Sequence, residues 1–222
     1  MILNLGTMEY GKTLSIQRKL NNLRNESRID DCMIVVEHPD VYTAGIHWLP
    51  GPEQQEIDVV RIERGGSITY HGPGQLVTYY IINLRERNLN VLNLIEILQD
   101  CNIDLLEQWS IPALPRLGKE TGVWTGSRKI ASIGLALKGF STLHGCALNV
   151  STDLGGFNRI NPCDFSPDIM TSMENEAGYS ISMDSVREKY MRIASEKLNI
   201  GDVVKNRDSL DYINELLSET VL

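Results

Sequence analysis

The residues best suited to chemistry in this chain lie between Arg64 and Gln75. This run contains four glycines and one proline, which exclude a regular helix. Because β-rich segments flank the run on both sides, we predict a loop that joins two strands. Glycine lets a backbone approach a ligand closely, and the side chains of Arg64, Thr69, Tyr70 and His71 are available in the same loop. This combination indicates a binding site.

The glycine pattern excludes the common phosphate-binding loops. The chain has no G-x-x-x-x-G-K-[ST] motif and no G-x-G-x-x-G motif after its first strand. A glycine-rich hairpin that only turns the chain is the alternative interpretation of the run.

Four cysteines, Cys32, Cys101, Cys146 and Cys163, are candidate nucleophiles. No two of them form a C-x-x-C pair, so a zinc knuckle is not expected. Structural disulfides are also not expected in a cytosolic protein. We therefore predict free thiols and no metal site.

Composition and charge limit the class of protein. The chain has 222 residues, 42% hydrophobic and 23% charged, as in a soluble protein with one domain over residues 1–222. No apolar run approaches the ~20 residues that span a bilayer, and residues 1–10 lack the features of a signal peptide. We expect a cytoplasmic protein with no membrane partner. The net charge of −8 argues against nucleic acid as a partner.

The periodicity of apolar residues predicts an α/β (α+β) fold, with a mixed, mostly antiparallel sheet and flanking helices on one side of it. Residues 122–125, 129–137 and 141–150 are predicted to form an antiparallel meander, and residues 151–179 an irregular segment. The other predicted strands are 32–36, 58–63 and 75–83. The predicted helices are 9–25, a helix capped by Asn90 that runs to residue 109, 185–199 with a capping box at Ser185 and Glu188, and 208–218.

The Arg64–Gln75 run resembles a family signature. It matches throughout the pattern R-G-G-x-[ILV]-T-Y-H-G-P-G-Q of the octanoyltransferases of lipoate biosynthesis, also called lipoyl(octanoyl) transferases. The resemblance extends over roughly residues 35–165, in the family's order. The other matching segments are Glu37–Gly45, Thr121–Trp124, Lys129–Gly134, His144–Val150 and Pro162–Cys163.

The resemblance implies a fold and an activity. The fold would be the catalytic domain shared by biotin protein ligases and lipoate–protein ligases. The activity would be that of an acyltransferase, which moves an octanoyl group from the phosphopantetheine thiol of acyl carrier protein to a lysine of a lipoyl domain. Lipoyl domains of 2-oxoacid dehydrogenase complexes and the glycine cleavage H protein would be acceptors. Because a thioester is already activated, the resemblance implies no cofactor, ATP or metal; the protein is expected to be a monomer.

The resemblance also implies roles for individual residues. Cys163 would be the nucleophile that carries the acyl group as a thioester, and Lys129 would be its base. The resemblance implies fourteen substrate-binding positions in three segments, in addition to this catalytic pair. The substrate-binding residues are Arg64, Gly65, Gly66, Ser67, Ile68, Thr69, Tyr70, His71, Ser132, Ile133, Gly134, Gly145, Cys146 and Ala147.

Several alternatives remain at these positions. Cys146 is the rival nucleophile, although we interpret it as a pocket residue whose small side chain leaves extra room. His71 and His144 could serve as bases in a Cys–His dyad, but binding or orienting roles are favoured. His38 and His47 are expected to be structural or on the surface.

The chain departs from the family after the proposed nucleophile. The family usually has glycine and an aliphatic residue there, whereas Asp164 and Phe165 follow Cys163 in this chain. A carboxylate beside a thiol opposes thiolate formation. An inactive module that binds carrier protein is therefore one alternative, and an ATP-dependent lipoate or biotin ligase is another. The Arg116–Gly145 segment, with a net charge of +4, is a candidate docking surface for acidic partners.

Overall fold

The computed structural model describes residues 1–49, 57–161, 165–201, 203–204, 211–213 and 215. The strands are β1 (Ile2–Thr7), β2 (Cys32–Glu37), β3 (Val41–Ala44), β4 (Val59–Arg61), β5 (Ile68–His71), β6 (Gln75–Ile81), β7 (Leu114–Arg116), β8 (Gly122–Thr125), β9 (Arg128–Lys138), β10 (Ser141–Asn149) and β11 (Val203–Val204). The helices are α1 (Tyr10–Asn25), α2 (Val91–Glu107), α3 (Met173–Ala177) and α4 (Met183–Leu198).

The main sheet has eight strands in the order β11-β1-β2-β6-β10-β9-β8-β7. Strand β1 pairs in parallel with β11 and β2, and every other pair in this sheet is antiparallel. The expectation of a mixed, mostly antiparallel sheet is thus confirmed, and so is the β8–β9–β10 meander. Strands β1 and β7 were not predicted, and β7 is an edge strand, where Pro115 is tolerated because no partner needs its N–H.

A second sheet contains part of the glycine-rich run. Its three strands have the order β4-β3-β5, and β5 pairs antiparallel with β3. The prediction of a loop over the whole of Arg64–Gln75 is therefore wrong for Ile68–His71. Isoleucine, threonine and tyrosine favour a strand, and the glycines confine the turns to the two ends of β5.

Helices cover both faces of the main sheet, so the prediction of helices on one side is wrong. Successive side chains of a strand point to opposite faces. In β2, Met33 and Val35 pack in a core with α2 and α4, whereas Ile34 and Val36 pack in a second core with α1. We call these the α2 face and the α1 face.

The helix predictions differ in their outcome. Helix α1 is confirmed, and α2 has the predicted Asn90 cap, whose side chain accepts a hydrogen bond from the Asn93 backbone. Helix α4 begins two residues earlier than predicted. Its N-cap is Ser182, so the prediction of a capping box at Ser185 and Glu188 is wrong.

The remaining predictions concern the C-terminal third of the chain. The segment predicted to be irregular contains α3 and two 3-10 turns, Leu154–Arg159 and Pro167–Ile169. The predicted helix over 208–218 lies mostly outside the described residues. Within the described ranges, no helix is long and apolar enough to cross a membrane.

Candidate active site

The first turn of the glycine-rich run is shaped around Gly45. The Gly45 N–H donates to the Ser67 carbonyl at 3.0 Å, and the Ile46 N–H donates to the Arg64 carbonyl at 3.0 Å. A Cβ atom added at Gly45 would lie only 2.7 Å from the Arg64 carbonyl oxygen. This close approach explains why glycine ends the Glu37–Gly45 motif.

The side chain of Arg64 fastens this turn to the second sheet and to β9. Its guanidinium donates to the Thr43 carbonyl at 2.8 Å and to the Gly65 carbonyl at 3.0 Å. The Gly65 N–H donates to the Leu135 carbonyl at 3.1 Å. A Cβ at Gly134 would lie 3.2 Å from Arg64 Cδ. The run and the Lys129–Gly134 motif are therefore in direct contact.

The candidate pocket residues of β9 and β10 divide between the two faces of the sheet. Ser132 is paired with Ala147, and Gly134 with Gly145; Ala147 packs in the α1-face core. Ser132, Gly134 and Ala147 lie on the α1 face, which the Arg64 turn also covers, whereas a Cβ at Gly145 would lie 2.9 Å from Tyr80 Cδ2 of the α2-face core. The small residues let the turn approach the sheet closely, and the Arg64 side chain occupies the space above Gly134.

Ile133 and Cys146 point the other way. Both side chains belong to the α2-face core, and the Asn102 amide donates to Cys146 Sγ at 3.3 Å. The interpretation of Cys146 as a pocket residue whose small side chain leaves extra room stays a prediction, and the side chain packs away from the face that the Arg64 turn covers. On the α1 face, which the Arg64 turn covers, Ile133 and Cys146 present only their main chain.

Lys129 is buried at the start of β9, with 2% of its surface exposed. Its ammonium nitrogen lies 5.6 Å from the centre of the Trp124 ring. The side chain passes over Gly122, where an added Cβ would lie 2.6 Å from Lys129 Cε and would overlap the Ala131 carbonyl oxygen. Sequence reasoning missed Gly122 and Trp124 as site residues, although both belong to the Thr121–Trp124 motif.

The proposed nucleophile Cys163 and its neighbour Asp164 lie outside the described residues. Phe165, two residues beyond Cys163 in the sequence, is described. Its ring meets the Trp124 ring edge to face, with 6.0 Å between the ring centres. The structure therefore brings the chain just after Cys163 to the same indole that contacts Lys129.

The other three cysteines are fully enclosed. Cys32, Cys101 and Cys146 are each at most 3% exposed. Burial raises the pKa of each of these thiols to about 12, and for Cys146 the Asn102 hydrogen bond and the Lys129 charge act weakly in the opposite direction. At neutral pH they are protonated and inaccessible, which argues against Cys146 as the rival nucleophile.

A chain of hydrogen bonds connects His71 with the main chain of Lys129. His71 Nδ1 donates to Gln75 Oε1 at 2.7 Å, and the Gln75 amide donates to Asn149 Oδ1 at 2.9 Å. The Asn149 amide donates to the Thr171 carbonyl at 2.9 Å, and the Thr171 N–H donates to the Lys129 carbonyl at 3.0 Å. This supports the orienting role expected for His71.

The structure places His38 and His47 as expected, one in the interior and one on the surface, and the role expected of His144 stays a prediction. His38 is buried between the Met8 carbonyl, 2.7 Å from Nδ1, and the Tyr79 hydroxyl, 2.8 Å from Nε2. His47 is exposed. His144 is buried in a left-handed conformation with φ of 64°. Its Nε2 lies 3.7 Å from Glu63 Oε2, which is beyond hydrogen-bond distance.

We expect these buried histidines to make folding sensitive to acid. Burial lowers the pKa of His38 and His144 to about 4 and that of His71 to about 3. Since the unfolded chain takes up protons near pH 6.5 and the folded chain does not, stability should fall as the pH drops from 6.5 toward 4, by about 3 kcal/mol for each histidine over the full range. Urea unfolding at pH 7, 6 and 5 would measure the slope.

Two variants separate the histidine contribution from other sources. His71→Asn should show a shallower loss of stability with falling pH, whereas the exposed His47→Gln should keep the slope of the unmodified protein. Equal slopes in all three proteins would contradict the assignment.

The basic segment is less available than its sequence indicates. Arg116 pairs with Glu120 at 3.1 Å, and Arg128 pairs with Glu176 at 2.8 Å. Lys129 is buried, while Lys119 and Lys138 are exposed. In the structure the net charge of +4 is therefore not a continuous basic surface. Across the described ranges, no group of three or more His, Cys, Asp or Glu side chains is arranged to hold a metal.

Solved structures show the class of fold. Lipoate-protein ligase A bound with ATP matches with a TM-score of 0.70 and 16% identity, over 98% of this chain and 93% of that chain. A bi-partite lipoate protein ligase from Thermoplasma acidophilum, solved in a study of an archaeal lipoylation system and its E2 lipoyl domain, matches with a TM-score of 0.67 and 16% identity, over 98% and 91%. Biotin protein ligase from Aquifex aeolicus matches with a TM-score of 0.52 and 17% identity, over 89% and 68%. The fold expected from the family resemblance is confirmed.

Sequence relatives define the family more narrowly. The lipoyl protein ligase A/B catalytic domain matches residues 9–193. A probable octanoyltransferase 2 of Picrophilus torridus is 51% identical over 212 residues, 95% of this chain and 84% of the relative. An octanoyltransferase of Alkaliphilus metalliredigens is 38% identical over 206 residues, 89% of this chain and 94% of the relative. The chain belongs to the octanoyltransferases within this catalytic-domain family, which makes it an acyltransferase.

Proposed function

We propose that the protein transfers an octanoyl group from acyl carrier protein to a lysine of a lipoyl domain through a thioester on Cys163. Its relatives are named octanoyltransferases, which supports octanoyl as the group that is transferred. The lipoyl-domain acceptor is supported by the T. acidophilum ligase, which was studied together with its E2 lipoyl domain. Lipoyl domains of 2-oxoacid dehydrogenases and the glycine cleavage H protein are the proposed acceptors.

The proposed reaction has two balanced steps. The Cys163 thiolate attacks the carbonyl carbon of the donor thioester, a new C–S bond forms, and the carrier thiol leaves with a proton from the Lys129 ammonium. The acceptor amine then attacks the Cys163 thioester, an amide forms, and Cys163 leaves as a thiolate while Lys129 takes the proton from the amine. Both steps exchange one acyl bond for another, so the proposal requires neither ATP nor a metal.

The observation that carries this proposal is the placement of Lys129. It is a buried ammonium beside Trp124, and the same indole contacts Phe165. Cys163 precedes Phe165 by two residues, and two residues of extended chain span at most about 7 Å between Cα atoms. The proposed nucleophile therefore belongs to the chain next to the residue that contacts Trp124. The three described cysteines are sealed in the core, as their raised thiol pKa values reflect.

An acyl adduct on Cys163 is the direct test. After mixing with octanoyl carrier protein, the intact mass should increase by one octanoyl group, hydroxylamine should remove it, and peptide mapping should place it on Cys163. Cys163→Ser should lose the hydroxylamine-sensitive adduct and reduce transfer by at least about 1,000-fold. The matched variant Cys146→Ser should retain the adduct, and an adduct found only on Cys146 would refute the assignment.

An ATP-dependent ligase is the second candidate, because the ATP-bound lipoate-protein ligase A has the same fold. Octanoyl transfer from the carrier thioester in the absence of ATP decides between the two. Binding of the carrier protein without any turnover would instead favour the inactive binding module, the alternative that the carboxylate of Asp164 beside Cys163 suggests.

A further inference from the structure

Trp124 is the centre of a group of four side chains at the Lys129 end of the sheet. Its ring centre lies 4.3 Å from the Arg116 guanidinium, 5.6 Å from the Lys129 ammonium and 6.0 Å from the Phe165 ring centre. Its indole N–H donates to the Glu120 carbonyl at 2.8 Å. The ring is 2% exposed, so its position is fixed by both polar and apolar contacts.

We propose that Trp124 is a positioning residue, which holds the Lys129 ammonium in place for proton transfer and joins it to the segment that begins at Phe165. This inference rests on the proposed function, since it assigns the proton transfers to Lys129. It adds a role for the indole, which does not itself touch the acyl group in the proposed reaction.

The need for such a residue follows from the lysine side chain. Lysine has four methylene groups and a compact charge, so it loses much rotamer freedom when it is held in one place. An aromatic face within about 6 Å attracts an ammonium without hydrogen-bonding its protons. Trp124 can therefore help to hold the nitrogen in place through the face of its ring.

The other contacts of Trp124 are consistent with a fixed support. Arg116 also lies over the ring, but its charge is offset by Glu120 at 3.1 Å and its guanidinium donates to the Gly126 carbonyl at 2.8 Å. Arg116 is thus tied to the turn between β8 and β9. Trp124 links this turn, Lys129 and Phe165 in a single contact group.

Matched tryptophan variants test the role. Trp109 also has a lysine over its ring, since the Lys189 ammonium lies 4.6 Å from the ring centre. Trp109 follows α2 in the chain and is not part of the group around Trp124. We expect Trp124→Leu to lower kcat by about 3-fold to 30-fold, the range expected for a lost cation–π contact, with KM within about twofold. Trp109→Leu should leave both constants unchanged, and Trp124→Phe should recover most of the loss because it keeps an aromatic face.

A second readout does not depend on transfer activity. Pulse labelling of amines with acetic anhydride, followed by peptide mass spectrometry, should show faster modification of Lys129 in Trp124→Leu than in the unmodified protein, and no change at Lys129 in Trp109→Leu. Should Trp124→Leu not fold, as judged by circular dichroism, Trp124→Phe carries the test. It should label faster at Lys129 and have a lower kcat than Trp109→Leu, because phenylalanine offers the ammonium a weaker aromatic face.

The outcomes separate this inference from the function it rests on. If the unmodified protein forms the octanoyl adduct but the Trp124 variants match Trp109→Leu in kcat and in Lys129 labelling, the positioning role is overturned and the acyltransferase stands. If no adduct forms while Lys129 labelling responds to Trp124, the contact is real and the assigned chemistry fails. A rise in KM with unchanged kcat would also overturn the role, because it would mean that Trp124 binds substrate.

Discussion

Lys129→Met is expected to lose nearly all octanoyl transfer while keeping the fold. Methionine has about the length of the lysine side chain and no charge, and the site is buried, so an apolar replacement should be tolerated. The variant lacks the group proposed to give and take protons in both half-reactions. General acid–base catalysis contributes about 100-fold to 10,000-fold, and kcat should fall by that amount. Steady-state transfer to a lipoyl domain measures it.

The exposed lysine at the other end of β9 supplies the control. Lys138→Met makes the same chemical change on the same strand, where Lys138 is exposed, and should leave kcat and KM unchanged. The rate of the remaining transfer in Lys129→Met should also rise with pH over a higher range than in the unmodified protein, because a thiolate that loses a nearby cation forms at higher pH. Identical pH–rate profiles would exclude the pairing of Lys129 with the nucleophile.

The elements that could be predicted from the sequence are those whose pattern is local. Helices α1 and α2 and the β8–β9–β10 meander follow from apolar periodicity and turn residues within each segment. Strands β3 and β5 were missed because they are stabilised by pairing with each other across the chain. Neither is long enough to be recognised alone.

The candidate site could be predicted in its residues but not in its geometry. A motif written as consecutive letters, such as Gly145-Cys146-Ala147, mixes the two faces of a strand. In the structure Ala147 packs on the α1 face, while Cys146 packs against α2. Period-two alternation would have separated them once β10 was assigned, but which face carries the Arg64 turn depends on contacts that no local pattern contains.

Gly122 shows the same limit for a single residue. Its sequence context indicates a strand, where glycine is unfavourable. The reason for glycine there is a neighbour in space: Lys129 crosses the position at which a Cβ would stand, and φ is 149°. Only the assembled β8–β9 pair reveals this requirement.

Gly122→Ala is accordingly expected to cost both stability and activity. The added methyl would overlap the Ala131 carbonyl oxygen and press on Lys129 Cε, in a backbone conformation that side chains rarely adopt. Overpacking of this kind costs about 1–3 kcal/mol of the free energy of unfolding, measurable by urea unfolding. Gly126→Ala is the control for backbone strain alone, because φ there is 57° and nothing lies within 4 Å of the added methyl.

The activity of Gly122→Ala should fall because the methyl displaces the lysine, and a displacement of about 1 Å in a reacting group can lower kcat by about 100-fold. A double-mutant cycle with Lys129→Met tests that cause. If Gly122 acts through Lys129, adding Gly122→Ala to Lys129→Met should not reduce kcat further, although it should still reduce stability. If the effects of the two substitutions on kcat simply multiply, Gly122 serves the reaction by a route independent of the lysine. If Gly122→Ala and Gly126→Ala have the same kcat, the space that Gly122 leaves for Lys129 has no catalytic importance.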